Sequence, residues 1–532
     1  MSKPDPRLIL LVLCIGLFLF ISSWSYLPLI DLPNHIARYH ISTANSSALD
    51  EFYTYTFSTK ANAAVDMLWL GIGRHLTDPV RFANICMAFY AANFLISVSV
   101  LSRVVHGGWS IWPLAAAIFV FNVNFLYGFQ NYLFSVPFAF YFLAVWLYIQ
   151  NYSALKKILI LTVPAFVLFQ MHILAFAIVL FAVFGYEVDR LLVAPASKRW
   201  TLFKTNIVAA VPLFLPCLHY LADRIGAPPN VYGSLTFYGS IVERFWMILS
   251  PLLVGFIKFD AVLVTIAFFL LVCFYSILVN AFISRQSKLR LAPHSRGPLL
   301  VFMILFFVMP RNLDGAAVIS HRYPFVFFSL FFAFSSWSKL KKRQVVLYTT
   351  VFVSLFAYQV TVIAELFNRN QQEVTELQAL FEDLLPGARV LSVRDSQLMA
   401  ERRYAHAPGY LVVFADSYVP TLFQGTHGLS ITPEWKNNAT PVWGTIPSVM
   451  VFRPDIAIKP YVTASRHVYW SQWQDKFTHV LAMGQIPDEN LKYVDIQCWR
   501  RVGDFTLYLT KAGAADPRFA LGDEPGEGCE TD

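Results

Sequence analysis

Stretches of about 20 mostly apolar residues, the length that crosses a bilayer as a helix, recur along the chain as far as Ile363. Charged residues and Pro-, Gly- or Asn-rich breaks divide them into about eleven spans. These run approximately Arg7–Pro28, Val80–Ser102, Trp109–Tyr127, Gln130–Gln150, Lys157–Gln170, Met171–Glu187, Thr205–Asp223, Ala261–Ser284, Pro298–Pro310, Pro324–Trp337 and Gln344–Ile363. The Lys157–Glu187 stretch reads either as two short helices meeting at His172 or as one long kinked helix.

Beyond Ile363 the pattern changes. The remainder holds 15 Lys and Arg against 21 Asp and Glu, so it is soluble in character and net acidic. It opens with an amphipathic stretch, Glu373–Leu385, stopped by Pro386 and Gly387. Short apolar runs at Arg389–Val393, Tyr410–Phe414, Thr478–Met483 and Phe505–Thr510 have strand character. The expected fold is a polytopic α-helical membrane protein of about eleven transmembrane helices with a C-terminal outer-face α/β or α+β domain. Its expected division is a transmembrane domain at 1–363, with a long first outer loop at 29–79, followed by a soluble domain at 364–532.

Composition agrees with a membrane protein. The chain of 532 residues is 57% hydrophobic and 14% charged, with 49 Phe; its mean hydropathy is +0.53. That excludes collagen-like, disordered and disulfide-stapled secreted classes. The net charge of +8 is read as membrane topology and not as a nucleic-acid footprint. With the N-terminus in the cytoplasm, the inner segments carry 17 Lys and Arg and the outer segments before residue 364 carry 9. Acids invert the bias, 3 inside and 9 outside. The C-terminal region is thereby expected on the outer face. The first span has no small-residue cleavage site after its apolar core and is read as a retained helix. Cys498 and Cys529 share the outer domain, and whether they pair is left open.

The densest polar cluster follows the first span, in Asp31-Leu-Pro-Asn-His-Ile-Ala-Arg-Tyr-His40. Pro33 is suited to the first turn of a helix, with Asp31 or Leu32 near its N-cap. Asn34 and Arg38, four apart, then share a face, with His35 one step round. The plain structural alternative makes Asp31 a cap and sends Arg38 to lipid headgroups.

An acid just past the first span, a long first outer loop, many spans and a C-terminal outer domain resemble the GT-C superfamily of integral-membrane glycosyltransferases. The run Asp31 to Arg38 also resembles one seen at this position in uncharacterised bacterial membrane proteins of that type. The resemblance implies transfer of a sugar from a polyprenyl-phosphate carrier to a glycan, lipid or protein acceptor, with the chain in a bacterial inner membrane among membrane lipids. Asp31 would take the acceptor hydroxyl proton, and Asn34, His35 and Arg38 would bind substrate. The superfamily often shows a paired acid here. This chain has one, with Asn34 and His35 where a second is sought, so use of a divalent cation such as Mg or Mn stays open.

The leaving phosphate needs cations or donors. The loop joining the ninth and tenth expected spans supplies Arg311, Asp314, His321 and Arg322, with Arg322 suited to a bidentate phosphate contact. Arginines at span ends also reach headgroups, and Asp314 is a natural partner for either arginine. Asp66, His75 and Asp78 in the first outer loop are weaker candidates. Two other classes compete: a polytopic transporter, and a catalytically inactive GT-C-like scaffold for envelope assembly. Ionisable residues gather at the outer span ends and not at the midplane, which favours chemistry at one leaflet over alternating access.

Overall fold

A computed structural model of the chain describes residues 5–57, 61–225, 236–252, 289–313, 318–337, 342–395, 397–424, 428–440, 444–453, 468–519 and 528–529. The chain forms two compact units, each drawn from separated segments. One comprises Met1–Ser23, Thr59–Val65 and Ile85–Ala364; the other comprises Trp24–Ser58, Asp66–Asn84 and Glu365–Asp532.

The first unit is helical. Among the described residues, four helices are long and apolar enough to cross a membrane: Pro79–His106, Gln130–Tyr148, Ala154–Met171 and the Thr349–Leu380 part of a longer helix. A fifth span results if Ala196–Ala209 and Val211–Ala222, bent by 52° at their junction, count as one. Shorter apolar helices lie at Pro6–Ser22, Trp112–Tyr127 and Arg296–Val308. The expected span Ala261–Ser284 falls outside the described residues. These helices make the chain an integral membrane protein.

Local chemistry explains the breaks. His172 ends one helix and begins the next, Ile173–Val193, its Nδ1 accepting the Leu174 N–H at 3.1 Å, so the Lys157–Glu187 stretch is two helices. Within the expected span Trp109–Tyr127, Trp112–Phe119 winds as a 3₁₀ helix. Asn122 then caps a short α-helix, Val123–Tyr127, by accepting from the Asn124 and Phe125 N–H groups. Ile173–Val193 and Arg296–Val308 cross where Gly185 and Gly297 meet backbone to backbone, a contact that any larger residue would push apart. The Glu187 carboxylate gathers Trp146 Nε1 at 3.0 Å, Gln150 Nε2 at 3.1 Å and Asn206 Nδ2 at 2.6 Å, tying three helices and a turn through charge-assisted hydrogen bonds.

The second unit is built on a five-stranded mixed sheet. Its order is Ile446–Pro447, Val390–Arg394, His479–Met483, Phe505–Leu509 and Gln497–Val502, parallel across the first three strands and antiparallel thereafter. The three inner strands are buried at every position, which is why they read as continuous apolar runs. The edge strand Gln497–Val502 is only partly covered, and its Cys498 is disulfide-bonded to Cys529. A second, two-stranded sheet pairs Tyr53–Tyr55 with Leu429–Ile431, joining the segment after the first apolar helix to the C-terminal region.

Two expectations for this unit are corrected. Tyr410–Phe414 lies in a helix, Gly409–Ala415, and not in a strand. A short apolar run buried on several sides carries no period that separates the two, and Pro408 at the start favours the helical turn. The amphipathic Glu373–Leu385 stretch is not a separate helix, because one helix runs unbroken from Lys342 to Leu380. Phe367, Val374 and Leu377 form its buried stripe within this unit.

Candidate active site

Pro33 sits in the first turn of the helix Leu32–Ile41, where its missing N–H costs nothing. Asp31 occupies the N-cap position but makes no side-chain capping hydrogen bond, because its backbone is already helical, with φ −88° and ψ −11°. The plain capping role is therefore not what its carboxylate does. The helix is buried over almost its whole circumference, although it carries Asn34, His35 and Arg38.

Its neighbour is the helix Gly409–Ala415. A methyl group at Gly409 would stand 2.6 Å from the Pro33 carbonyl oxygen, so glycine there permits the two backbones to approach. A His–Asp pair marks each end of this packing. At one end His406 Nε2 lies 3.7 Å from Asp31 Oδ1; at the other His40 Nε2 lies 2.7 Å from Asp416 Oδ1. His406 and His35 both pack edge-on against Phe423, with ring centroids 4.9 and 6.0 Å away.

Arg38 Nε donates to Asp66 Oδ1 at 2.6 Å in a fully buried ion pair. Burial opposes the Arg38 charge most strongly, but the Asp66 carboxylate together with Tyr39 and Tyr55 outweighs it and holds the guanidinium protonated beyond its ordinary range. Asn34 and Arg38 are each 1% exposed, and among the described residues neither the Asn34 amide nor the two Arg38 Nη groups has a hydrogen-bond partner. Leaving such groups unsatisfied costs about 1–3 kcal/mol each, and more for charged ones. The arrangement thus presents a carboxylate, an amide and a tethered guanidinium from one helix, suited to a polar or anionic group.

The remaining expected residues belong to the first unit. Arg322 opens the helix Arg322–Phe334, and its guanidinium lies 4.5 Å from the Phe129 ring centroid and 4.7 Å from that of Tyr132. It lines a small cavity with Tyr132, Leu174, Phe302, Ile319 and Tyr323. His321 precedes it in a short 3₁₀ turn. Arg311 faces Glu243, with Nη1 3.7 Å from Oε1. Asp314 falls outside the described residues. Among the described residues, no group of three or more His, Cys, Asp or Glu side chains is gathered as a metal ion requires. Beside Asp31 the described contact is His406, and no step is routed through a metal ion.

Sequence reasoning missed His406 and Asp416 and placed Asp66 among the weaker candidates. Asp31 and His406 are 375 positions apart, and no local pattern connects them.

No protein-family model matches the chain, and no curated protein matches it. Its fold is nonetheless GT-C-like. Two crystal structures of ArnT from Cupriavidus metallidurans carry that likeness, one in the apo state and one bound to undecaprenyl phosphate. Each aligns with TM-score 0.51 at 11% sequence identity, covering 96% of this chain and 99% of its own.

Proposed function

We propose that the protein is a membrane glycosyltransferase that moves a sugar from a polyprenyl-phosphate carrier to a glycan, lipid or protein acceptor on the outer face of a bacterial inner membrane. The observation that carries this reading is a GT-C-like fold spanning nearly the whole of both chains, one of the similar structures holding undecaprenyl phosphate. Asp31 is the base. It takes the acceptor hydroxyl proton as that oxygen attacks the anomeric carbon, while the bond from that carbon to the carrier phosphate breaks and its electron pair leaves with the phosphate. Asn34 and Arg38, with polar atoms that no described residue satisfies, receive polar parts of the substrates, and His35 lines the same helix. In the other unit Arg322 is the cation assigned to a lipid phosphate, with His321 beside it; Arg311 already faces Glu243. The outer-face placement rests on the Lys and Arg distribution.

Asp31→Asn tests the reading. Transfer from undecaprenyl-phosphate-linked sugars should fall on the order of 10²- to 10⁴-fold, while thermal stability and undecaprenyl phosphate binding stay near parental. Near-parental transfer by this variant would remove Asp31 from the base role.

A further inference from the structure

Asp31 and its neighbour His406 are not symmetric partners. Asp31 stands at the start of a helix, partly open, whereas His406 is enclosed in a loop that the protein holds from several directions. Arg394 Nη1 donates to the Glu401 carbonyl at 3.0 Å and Nη2 to the Thr445 carbonyl at 3.3 Å. The Thr445 N–H donates to the Ala405 carbonyl at 2.8 Å, and the Gly409 N–H to the His406 carbonyl at 2.9 Å. Arg403 pairs with Glu401 at 2.7 Å and with Glu373. The imidazole has little freedom left: Phe423 covers one side, Nδ1 is buried without a partner, and Nε2 points at Asp31.

We propose that His406 is the positioning residue for Asp31, donating its Nε2–H to one carboxylate oxygen and leaving the other directed at the acceptor. This rests on the base role given to Asp31 above. At 3.7 Å the contact is longer than a hydrogen bond, as such contacts often are before substrate draws them together. Burial, with the nearby Arg394 charge, pushes the imidazole down to about 4, so it is neutral near pH 7 and keeps a single proton for this donation. The His40–Asp416 pair at the far end of the same helix packing is an internal control: it ties the two helices in the same way but does not touch Asp31.

Two measurements on the full-length protein decide it. In lipid vesicles, solid-state ¹⁵N NMR of labelled histidine should place the His406 proton on Nε2, the signal being assigned as the one lost in His406→Gln. That signal should shift in Asp31→Asn; a signal indifferent to Asp31→Asn overturns the inference without any need for turnover. With undecaprenyl-phosphate hexoses as donors, His406→Ala should lower kcat on the order of 10- to 100-fold with KM nearly unchanged, because a reacting group about 1 Å out of place costs about that much. His406→Gln, which keeps a donor near the Nε2 position, should restore most of the rate. His406→Ala should add no loss to Asp31→Asn, and His40→Ala should cost stability without the kcat loss. Parental kcat in a folded His406→Ala protein overturns the positioning role and leaves the base intact, whereas an active Asp31→Asn sinks the base and leaves the NMR contact standing.

Discussion

Two short stretches of the chain look alike on paper. Asp31-Leu-Pro33 and Arg322-Tyr-Pro324 each put a charged residue two positions before a proline, beside an apolar run. Their settings differ in kind. On the Asp31 helix Arg38 is held by the buried Asp66 carboxylate and lies 5.4 Å from the Tyr39 ring centroid, while Arg322 is buried against the faces of two aromatic rings. A cation over an aromatic face regains about 0.5–2 kcal/mol and in part accounts for its own burial. The Asn34 amide has no such compensation among the described residues. Of the two settings, the Asn34 amide on the Asp31 helix is the group that the described residues account for least.

The contrast breaks most sharply at Arg38. Arg38→Met leaves the Asp66 carboxylate buried without its counter-charge, so the folded state should lose about 3–5 kcal/mol. Thermal unfolding in detergent measures this. Asp66→Leu added to Arg38→Met should restore much of the loss, since replacing both ions of a buried pair with apolar groups is often neutral or better. A folded single variant of parental stability would mean that the pair is not buried as described.

This pair also shows how far the sequence could be read. The helix at Leu32–Ile41, the shared face of Asn34 and Arg38, and the strands at Val390–Arg394, His479–Met483 and Phe505–Leu509 were all visible in short-range spacing. What could not be seen depended on distant segments. Asp66 comes to Arg38 across 28 positions and Asp416 to His40 across 376, each brought there by packing that leaves no local trace. The mistaken strand at Tyr410–Phe414 failed for a related reason, since enclosure on several sides erased the alternation that marks a half-buried strand. The unbroken helix across Ile363 hid because its composition changes there while its backbone does not.

A smaller effect should appear with pH in the Asp31 unit. His406, facing Asp31 with Arg394 near it, is pushed down to about 4 by burial; His479, with Arg389 and Asp516 near it, is pushed down to about 3. In the unfolded chain both would titrate near their ordinary value of about 6.5. The unfolded state therefore binds more protons below that value. The stability these neutral rings contribute is fully present above about pH 6.5, declines as pH falls, and is lost by about pH 4 for His406 and pH 3 for His479. Each contributes on the order of 1–3 kcal/mol. Thermal melts at pH 7.5 and 4.5 should show the loss, and His479→Gln should reduce it. A melting temperature that is flat across this range would contradict the burial of both rings.

The least effect on folding is expected at Arg322, which makes it the finest test of the comparison. Arg322→Lys keeps the charge but replaces a flat guanidinium, able to stack on Phe129 and Tyr132, with a compact ammonium. Loss of the stacking should cost about 0.5–2 kcal/mol. If Arg322 also receives a lipid phosphate through its fork, the same substitution should weaken undecaprenyl phosphate binding in vesicles by more than the stability change accounts for. A binding loss no larger than the stability loss would confine Arg322 to its aromatic contacts. Recognition of the lipid phosphate would then fall to Arg38, whose two Nη groups find no hydrogen-bond partner among the described residues.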